Sequence, residues 1–167
     1  SIAHCARLCH SPTVTGLVTT FGSGAMTNSI NDISDSRCIF SIGSNTTASH
    51  PVIGMFVRQA NRQGTKLIIA NPREIALVRY ADLWLQQRPG TDVVLLMGMM
   101  KVIMDESLAD SSFIERRCEN FDAFKESLKN FPMDLVERVT GVPGKKVAEA
   151  ACMYATNSPA AILYAMG

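Results

Sequence analysis

The chain has 167 residues, of which 47% are hydrophobic, and its formal net charge at pH 7 is +1. This length and apolar content are enough for one ordinary globular domain with a continuous buried core. Its lysines and arginines are scattered and form no basic run, which argues against nucleic acid or an anionic membrane surface as a partner. The longest apolar run, residues 93–100, is far shorter than the roughly 20 residues that cross a bilayer, so we expect no membrane span.

Five cysteines occur at positions 5, 9, 38, 118 and 152. An odd number without a disulfide-rich pattern favours a reducing compartment, and we expect a cytoplasmic protein. Cys5 and Cys9 are too few for an iron-sulfur cluster or a structural zinc site, and the sequence contains no Cys-x-x-Cys pair. The other three cysteines lie in apolar or amphipathic runs, where a cysteine usually serves as a small buried hydrophobic residue.

The first forty residues predict helices rather than strands. Pro12 suits the first turn of a helix that runs to about residue 20, and the glycines of Gly22-Ser23-Gly24 would end it. The apolar spacing of residues 26, 30 and 33 predicts a second short helix over residues 25–33.

From residue 38 onwards, short apolar runs alternate with amphipathic helices. Residues 38–42 and 66–70 have the composition of buried parallel strands, and a helix that starts at Pro51 and runs to about residue 63 connects them. Such a unit is right-handed, and open α/β sheets hold their ligands in loops after the carboxyl ends of the strands. The polar loops at residues 43–47 and 71–73 both occupy that place.

The second half of the chain continues the α/β pattern. Residues 81–87 predict a third strand, and the helix predicted over residues 92–106 is apolar on nearly every face, so we expect it to be buried. Short amphipathic helices follow, then a helix that starts at Pro143 and a final strand over residues 160–165. The sequence therefore predicts a single α/β domain over residues 1–167, with a Rossmann-like, mainly parallel sheet flanked by helices.

Cys9 and His10 place a thiol beside an imidazole. Thiolates bind soft and borderline metals and histidine titrates near neutral pH, so the pair suits an activated nucleophile or two metal ligands. Most Cys-His dipeptides are neither, and these two residues alone leave the alternatives open.

Several short motifs occur in a fixed order along the chain. They are Cys5-Ala6-Arg7-Leu8-Cys9-His10-Ser11-Pro12-Thr13-Val14, Gly22-Ser23-Gly24-Ala25-Met26-Thr27-Asn28, Gly43-Ser44-Asn45, Asn71-Pro72-Arg73, Pro89-Gly90-Thr91-Asp92 and Ala165-Met166-Gly167. Together they resemble the molybdenum- or tungsten-dependent formate dehydrogenases over essentially the whole chain. The fold implied by this resemblance is the α/β domain of the formate dehydrogenase and dimethyl sulfoxide reductase type.

The resemblance implies an enzyme that oxidises formate to carbon dioxide, or runs the reverse reaction, at a molybdenum or tungsten ion held by bis(molybdopterin guanine dinucleotide). Carried over to this sequence, Cys9 is the metal ligand, and Cys9 and His10 are the catalytic residues, with His10 handling a proton. The implied partners are the remaining domains of the same subunit and iron-sulfur or flavin electron-transfer subunits. A 4Fe-4S cluster would lie outside this chain, which we expect to be a fragment of a larger catalytic subunit.

By the same resemblance, three loops bind the cofactor. Their residues are Gly43, Ser44, Asn45 and Thr46, then Asn71, Pro72 and Arg73, and finally Pro89, Gly90, Thr91 and Asp92. Asn71 stands where the family usually has an aspartate, and its amide can hydrogen-bond ribose or base without supplying a charge. The N1–H and N2–H₂ donors of guanine suit the Asp92 carboxylate, although a carboxylate at a helix start also stabilises the helix dipole.

Three alternatives stand beside this interpretation. The chain is compatible with another molybdopterin oxidoreductase, such as a nitrate reductase, with a non-catalytic pterin-fold scaffold module, and with an unrelated α/β nucleotide-binding domain that has a chance Cys-His pair. Within the family, His10 after the ligand favours formate chemistry, and a metal-binding side chain at Cys9 favours an enzyme over a scaffold.

Overall fold

The computed structural model describes residues 4–26 and 28–165. Three residues of the motifs, at positions 27, 166 and 167, lie outside the described residues. Within the described part of the chain, no helix is long and apolar enough to cross a membrane.

The described strands form one four-stranded sheet in which every pairing is parallel. The strands are β1 (Cys38–Ile42), β2 (Lys66–Ala70), β3 (Leu83–Leu85) and β4 (Ala160–Tyr164), in the order β3-β2-β1-β4. The predicted α/β class with a mainly parallel sheet is confirmed. β1 and β2 have the predicted bounds, whereas β3 is shorter than the predicted 81–87. At its far end, exposed Gln86 donates from Nε2 to the Pro72 carbonyl oxygen at 3.1 Å instead of continuing the ladder.

Helices connect the strands. The described α-helices are α1 (Ser11–Phe21), α2 (Thr46–Ser49), α3 (Pro51–Arg62), α4 (Asp92–Asp105), α5 (Ser111–Arg117), α6 (Phe121–Ser127), α7 (Met133–Thr140) and α8 (Gly144–Thr156). Short 3₁₀ helices occur at Cys5–Arg7, Ile30–Asp35, Ala76–Tyr80 and Leu128–Asn130. Proline at the first turn of α1 and of α3 confirms two predicted helix starts, and Gly22 ends α1 in the left-handed conformation with φ of 78°.

Alternate residues of the sheet enter two separate cores, because neighbouring side chains on a strand point to opposite faces. On one face Phe40 and its neighbours pack against α4, α7 and α8. On the other face Ile39 and its neighbours pack against α3 and two of the 3₁₀ helices. Burying each large apolar side chain contributes about 1.5–3 kcal/mol. Both cores are built from residues of this chain, and these residues bury β1 and nearly all of β2.

A carboxylate that is only partly covered, Asp82, fixes β3 against β2. Asp82 accepts hydrogen bonds from the Lys66 ammonium at 2.8 Å and from the Leu67 N–H at 2.9 Å. Burial raises the pKa of Asp82, but the hydrogen bonds from Lys66 and Leu67 outweigh it and leave the pKa below its usual value. The Asp82 N–H also donates to the Leu67 carbonyl oxygen at 2.9 Å, so β3 starts in one defined register.

The segment after α1 differs from the prediction of a helix over residues 25–33. The helical residues there form the 3₁₀ helix Ile30–Asp35 instead. Ser29 caps it: its Oγ contacts Asp32 at 2.9 Å, and its backbone N–H donates to the same carboxylate at 2.9 Å. Because this reciprocal capping sets the first turn after Ser29, the apolar spacing of residues 26, 30 and 33 gave the wrong start.

α4 was predicted to be buried, and most of its residues are at least partly buried. Leu95, Gly98 and Met99 are buried, whereas Val93 is 69% exposed. α4 contacts α7, α8 and the 3₁₀ helix Leu128–Asn130. Apolar residues around a helix indicate that it can pack on several sides, but they do not identify the element that covers each side.

We expect Gly98→Ala to destabilise the domain by about 1–2 kcal/mol. A Cβ at Gly98 would lie 2.8 Å from both methyl groups of Val136, which is fully buried and β-branched and therefore has little room to move. This overpacking exceeds the roughly 0.5–1 kcal/mol that alanine gains over glycine inside a helix.

Gly16→Ala is the matched control, since a Cβ at Gly16 in α1 would meet nothing within 4 Å. Urea unfolding should give a lower midpoint for the Gly98 variant and an unchanged or higher one for the Gly16 variant. Equal midpoints would contradict close packing of α4 on α7.

Candidate functional site

The carboxyl ends of β1, β2 and β3 lie side by side and place three loops along one edge of the sheet. The Gly43 N–H donates to the Ala70 carbonyl oxygen at 2.9 Å, and the Asn71 N–H donates to the Leu85 carbonyl oxygen at 3.1 Å. The strand order also reverses at β1, because β2 lies on one side of it and β4 on the other. In open α/β sheets, such a reversal opens a crevice for ligands. The sequence predicted loops at this edge, and the structure has them there.

The side chains of the loop after β1 form hydrogen bonds with one another. Ser44 and Thr46 are buried, and their hydroxyl oxygens lie 3.0 Å apart. The Thr47 hydroxyl donates to Asn45 Oδ1 at 3.4 Å. Gly43 has φ of 61° and would meet nothing within 4 Å of an added Cβ, so glycine is required there by backbone conformation and leaves the surface open. Asn45 is thus the most accessible polar side chain among the four residues predicted here.

The loop after β2 is held by β3. Asn71 is buried, and its Oδ1 accepts the Arg73 N–H at 2.9 Å, which closes a local turn. The Trp84 indole N–H donates to the Asn71 carbonyl oxygen at 2.9 Å. The Arg73 side chain is exposed and forms no ion pair with any residue in the described part of the chain. Its charge is therefore available to a ligand.

An open cleft of about 380 Å³ separates these two loops. Its lining residues are Asn45, Thr47, Ala48, Arg73, Glu74, Ile75 and Ala76. Ligand pockets usually start at about 300 Å³. Two of the predicted residues, Asn45 and Arg73, thus come together, whereas the other lining residues were missed. Glu74 to Ala76 directly follow a predicted loop and lead into the 3₁₀ helix Ala76–Tyr80.

The loop after β3 is a tight turn that ends at a helix start. The Thr91 N–H and hydroxyl both donate to the Arg88 carbonyl oxygen, at 3.3 and 2.7 Å. Pro89 followed by Gly90 with φ of 78° is typical of a type II turn, so turn geometry alone requires both residues. Asp92 is the first residue of α4 and is half-buried. None of these four predicted residues lines the cleft between the first two loops.

Two residues before this turn fix its position, and neither was predicted. Gln87 is buried, and its Nε2 donates to Asp92 Oδ1 at 3.1 Å. Arg88 donates to the carbonyl oxygens of Arg138 and Val139, at 2.7 and 3.3 Å, and so satisfies the carboxyl end of α7. In the sequence, the signal for Gln87 is a polar residue at the end of an apolar strand.

Cys9 and His10 lie in the turn between the 3₁₀ helix Cys5–Arg7 and α1. Both are exposed, and the Cys9 N–H donates to the Cys5 carbonyl oxygen at 2.8 Å. His10 occupies the position that precedes the first residue of α1. Neither residue lines the cleft. Among the described residues, no group of three or more His, Cys, Asp or Glu side chains is placed to hold a metal ion.

The parallel sheet, its two flanking layers and the reversal of strand order at β1 define an open α/β domain. The model of the molybdopterin oxidoreductase family matches residues 1–167. The chain belongs to the molybdopterin oxidoreductase family, as the order of its motifs led us to expect.

Several curated relatives are formate dehydrogenase subunits. The F420-dependent formate dehydrogenase 1 subunit alpha of Methanococcus maripaludis is 45% identical over 167 residues, which is 100% of this chain and 25% of the relative. Formate dehydrogenase H of Escherichia coli is 39% identical over 163 residues, which is 98% of this chain and 23% of the relative. The chain thus spans about a quarter of the length of these relatives.

The solved structure of a protein with a different name shares the fold. Acetylene hydratase from Pelobacter acetylenicus superposes with a TM-score of 0.88 at 34% identity, covering 98% of this chain and 22% of the other. The family therefore includes proteins with different activities on the same domain, and the fold alone does not select one of them.

Proposed function

We propose that this chain is one cofactor-binding α/β domain of a formate dehydrogenase catalytic subunit. The proposed reaction is oxidation of formate to carbon dioxide, or its reverse. The observation that carries the proposal is the identity of 45% to a formate dehydrogenase alpha subunit over the whole chain. Cys9 next to His10 supports it, because this pair matches the metal ligand and catalytic histidine of the motif that the chain resembles.

The proposed cofactor is bis(molybdopterin guanine dinucleotide) with molybdenum or tungsten. The polar side chains in the loops at the sheet edge have the chemistry to bind one guanine nucleotide. Asp92 keeps Oδ2 outside its bond to Gln87, so the carboxylate can accept the N1–H and N2–H₂ donors of guanine. The Arg73 guanidinium can pair with a phosphate. Asn45 supplies an amide at the cleft, and Asn71 holds its own loop through Oδ1. These residues would hold the nucleotide.

At the other end of the cofactor, Cys9 would supply a sulfur ligand, and the bound metal would accept the two electrons of formate. A thiolate is soft and electron-donating, which suits a metal that changes its oxidation state. The His10 imidazole is exposed and directly follows Cys9 in the sequence. Its proposed role is to take the proton that leaves formate.

The proposed partners follow from the similarity to formate dehydrogenase alpha subunits, of which this chain spans about a quarter. The rest of the same subunit would supply the remaining cofactor contacts and a 4Fe-4S cluster, and iron-sulfur or flavin subunits would carry the electrons onward. We propose a cytoplasmic location, which the five cysteines without a disulfide framework support.

The complete subunit should contain molybdenum or tungsten and reduce an artificial dye when formate is added. Elemental analysis and a formate-dependent dye assay check this, with acetylene as the competing substrate. Absence of both metals would contradict the whole proposal. If the protein contains the metal, hydrates acetylene and leaves formate unchanged, the proposed cofactor is correct and the proposed reaction is wrong.

A further inference from the structure

We propose that Gln87 is a positioning residue for guanine recognition: its buried amide holds the Asp92 carboxylate in the one orientation that accepts the base. This inference rests on the proposed role of Asp92 in the cofactor site. It adds a residue that makes no contact with the ligand and acts through Asp92.

The amide of Gln87 is almost completely enclosed. The residue is 2% exposed, at the point where β3 passes into the Arg88 turn. Its Nε2 donates to Asp92 Oδ1 at 3.1 Å, and its Oε1 is buried without a hydrogen-bond partner among the described residues. A carboxylate only accepts hydrogen bonds, so Asp92 fixes which end of the amide faces it.

An orphaned buried oxygen is unfavourable, and an apolar side chain of the same length would avoid it. Replacing a polar residue in this enclosed position should therefore leave the fold as stable as before or make it more stable. What the glutamine adds is its bond to Asp92. Buried polar groups that lower the stability of the fold are typical of functional sites, where they hold a binding group in position.

The hydrogen bond from Gln87 restricts rotation of the Asp92 side chain. This residue starts α4 and is only half-buried, so its side chain would otherwise rotate between orientations. A donor on Oδ1 fixes the plane of the carboxylate and leaves Oδ2 and the second lone pair of Oδ1 for the two guanine donors. Two parallel hydrogen bonds from guanine form only when the carboxylate lies in the plane of the base, whereas contacts to phosphate have no such requirement.

The test uses Gln87→Met, which removes the amide and keeps the length of the side chain. Guanosine diphosphate and adenosine diphosphate are titrated into the wild-type chain, Gln87→Met, Asp92→Asn and the double variant, with amide chemical shifts as the readout. Gln59→Met is the matched control, because Gln59 is exposed on α3. Thermal melting of each variant shows that it is folded, and Gln87→Leu serves as a second variant if methionine disturbs the core.

We expect the wild type to bind guanosine diphosphate more tightly than adenosine diphosphate, and Gln87→Met to lose roughly five- to tenfold of the guanosine affinity while keeping its adenosine affinity. In the Asp92→Asn background the same change should have no further effect, since Gln87 acts through that carboxylate. Unchanged guanosine affinity in Gln87→Met would overturn this inference alone. So would an equal loss for both nucleotides, which would make Gln87 a structural residue. A wild type that binds neither nucleotide, or binds both equally, would overturn the proposed guanine site together with this inference.

Discussion

Cys9→Ser in the complete catalytic subunit should lose nearly all formate oxidation, while Cys5→Ser should keep most of it. Serine replaces a soft thiolate with a hard hydroxyl that stays protonated at neutral pH, and such a group is a poor ligand for a thiophilic, redox-active metal. Formate-dependent dye reduction and metal content, measured on the same preparations, check the prediction.

Cys5→Ser is a closely matched control. Cys5 and Cys9 are both exposed and belong to the same short turn, in which the Cys9 N–H donates to the Cys5 carbonyl oxygen. Cys5 follows His4, whereas Cys9 precedes His10, and only the order Cys9-His10 matches the ligand position of the motif that the chain resembles. Loss of an equal share of activity in both variants would contradict the assignment of the ligand to Cys9.

His10→Ala should retain its metal and turn over formate more slowly by a factor on the order of 10² or more. The reason is that a positioned general acid or base typically contributes about 10²- to 10⁴-fold to a rate. His10 is exposed and makes no side-chain hydrogen bond to the start of α1, so its removal should leave the helix in place. Elemental analysis and the steady-state rate at saturating formate check the two halves of this prediction.

The alternative outcome for His10 is a variant without metal. That result would make the histidine a structural residue that shapes the Cys9 turn, and its proposed role with the proton would be wrong. A normal rate with full metal content would equally remove His10 from the mechanism.

The sheet was largely predictable because its signals are local. β1 and β2 are short apolar runs bounded by polar loops, and their observed bounds agree with the prediction. The differences from the prediction have two causes. Which residues of α4 stay exposed depends on where α7 and α8 lie, and the helix near residue 30 depends on the local reciprocal capping of Ser29 and Asp32.

The sequence predicted which loops form the candidate site, but it did not predict how their side chains are arranged. Parallel strands end at one edge of a sheet, which placed residues 43–47, 71–73 and 89–92 near each other in advance. The contact between Gln87 and Asp92 follows no helical or strand period, since it crosses a turn between a strand and a helix. The polar residue at the end of the apolar run of β3 is visible in the sequence, but the sequence does not show that its amide bonds to Asp92.

The position of β1 between β2 and β4 has a consequence for synthesis and folding. Cys38 pairs with Lys66 on one side, close in sequence, and with Ala160 on the other, near the far end of the chain. Loop-closure entropy makes the second pairing the slower one, and chains emerge from the ribosome amino terminus first. The three loops can therefore assemble on β1, β2 and β3 while one edge of β1 still awaits its last strand. During that interval the edge of β1 offers unpaired N–H and C=O groups to any neighbouring chain, until β4 pairs with it.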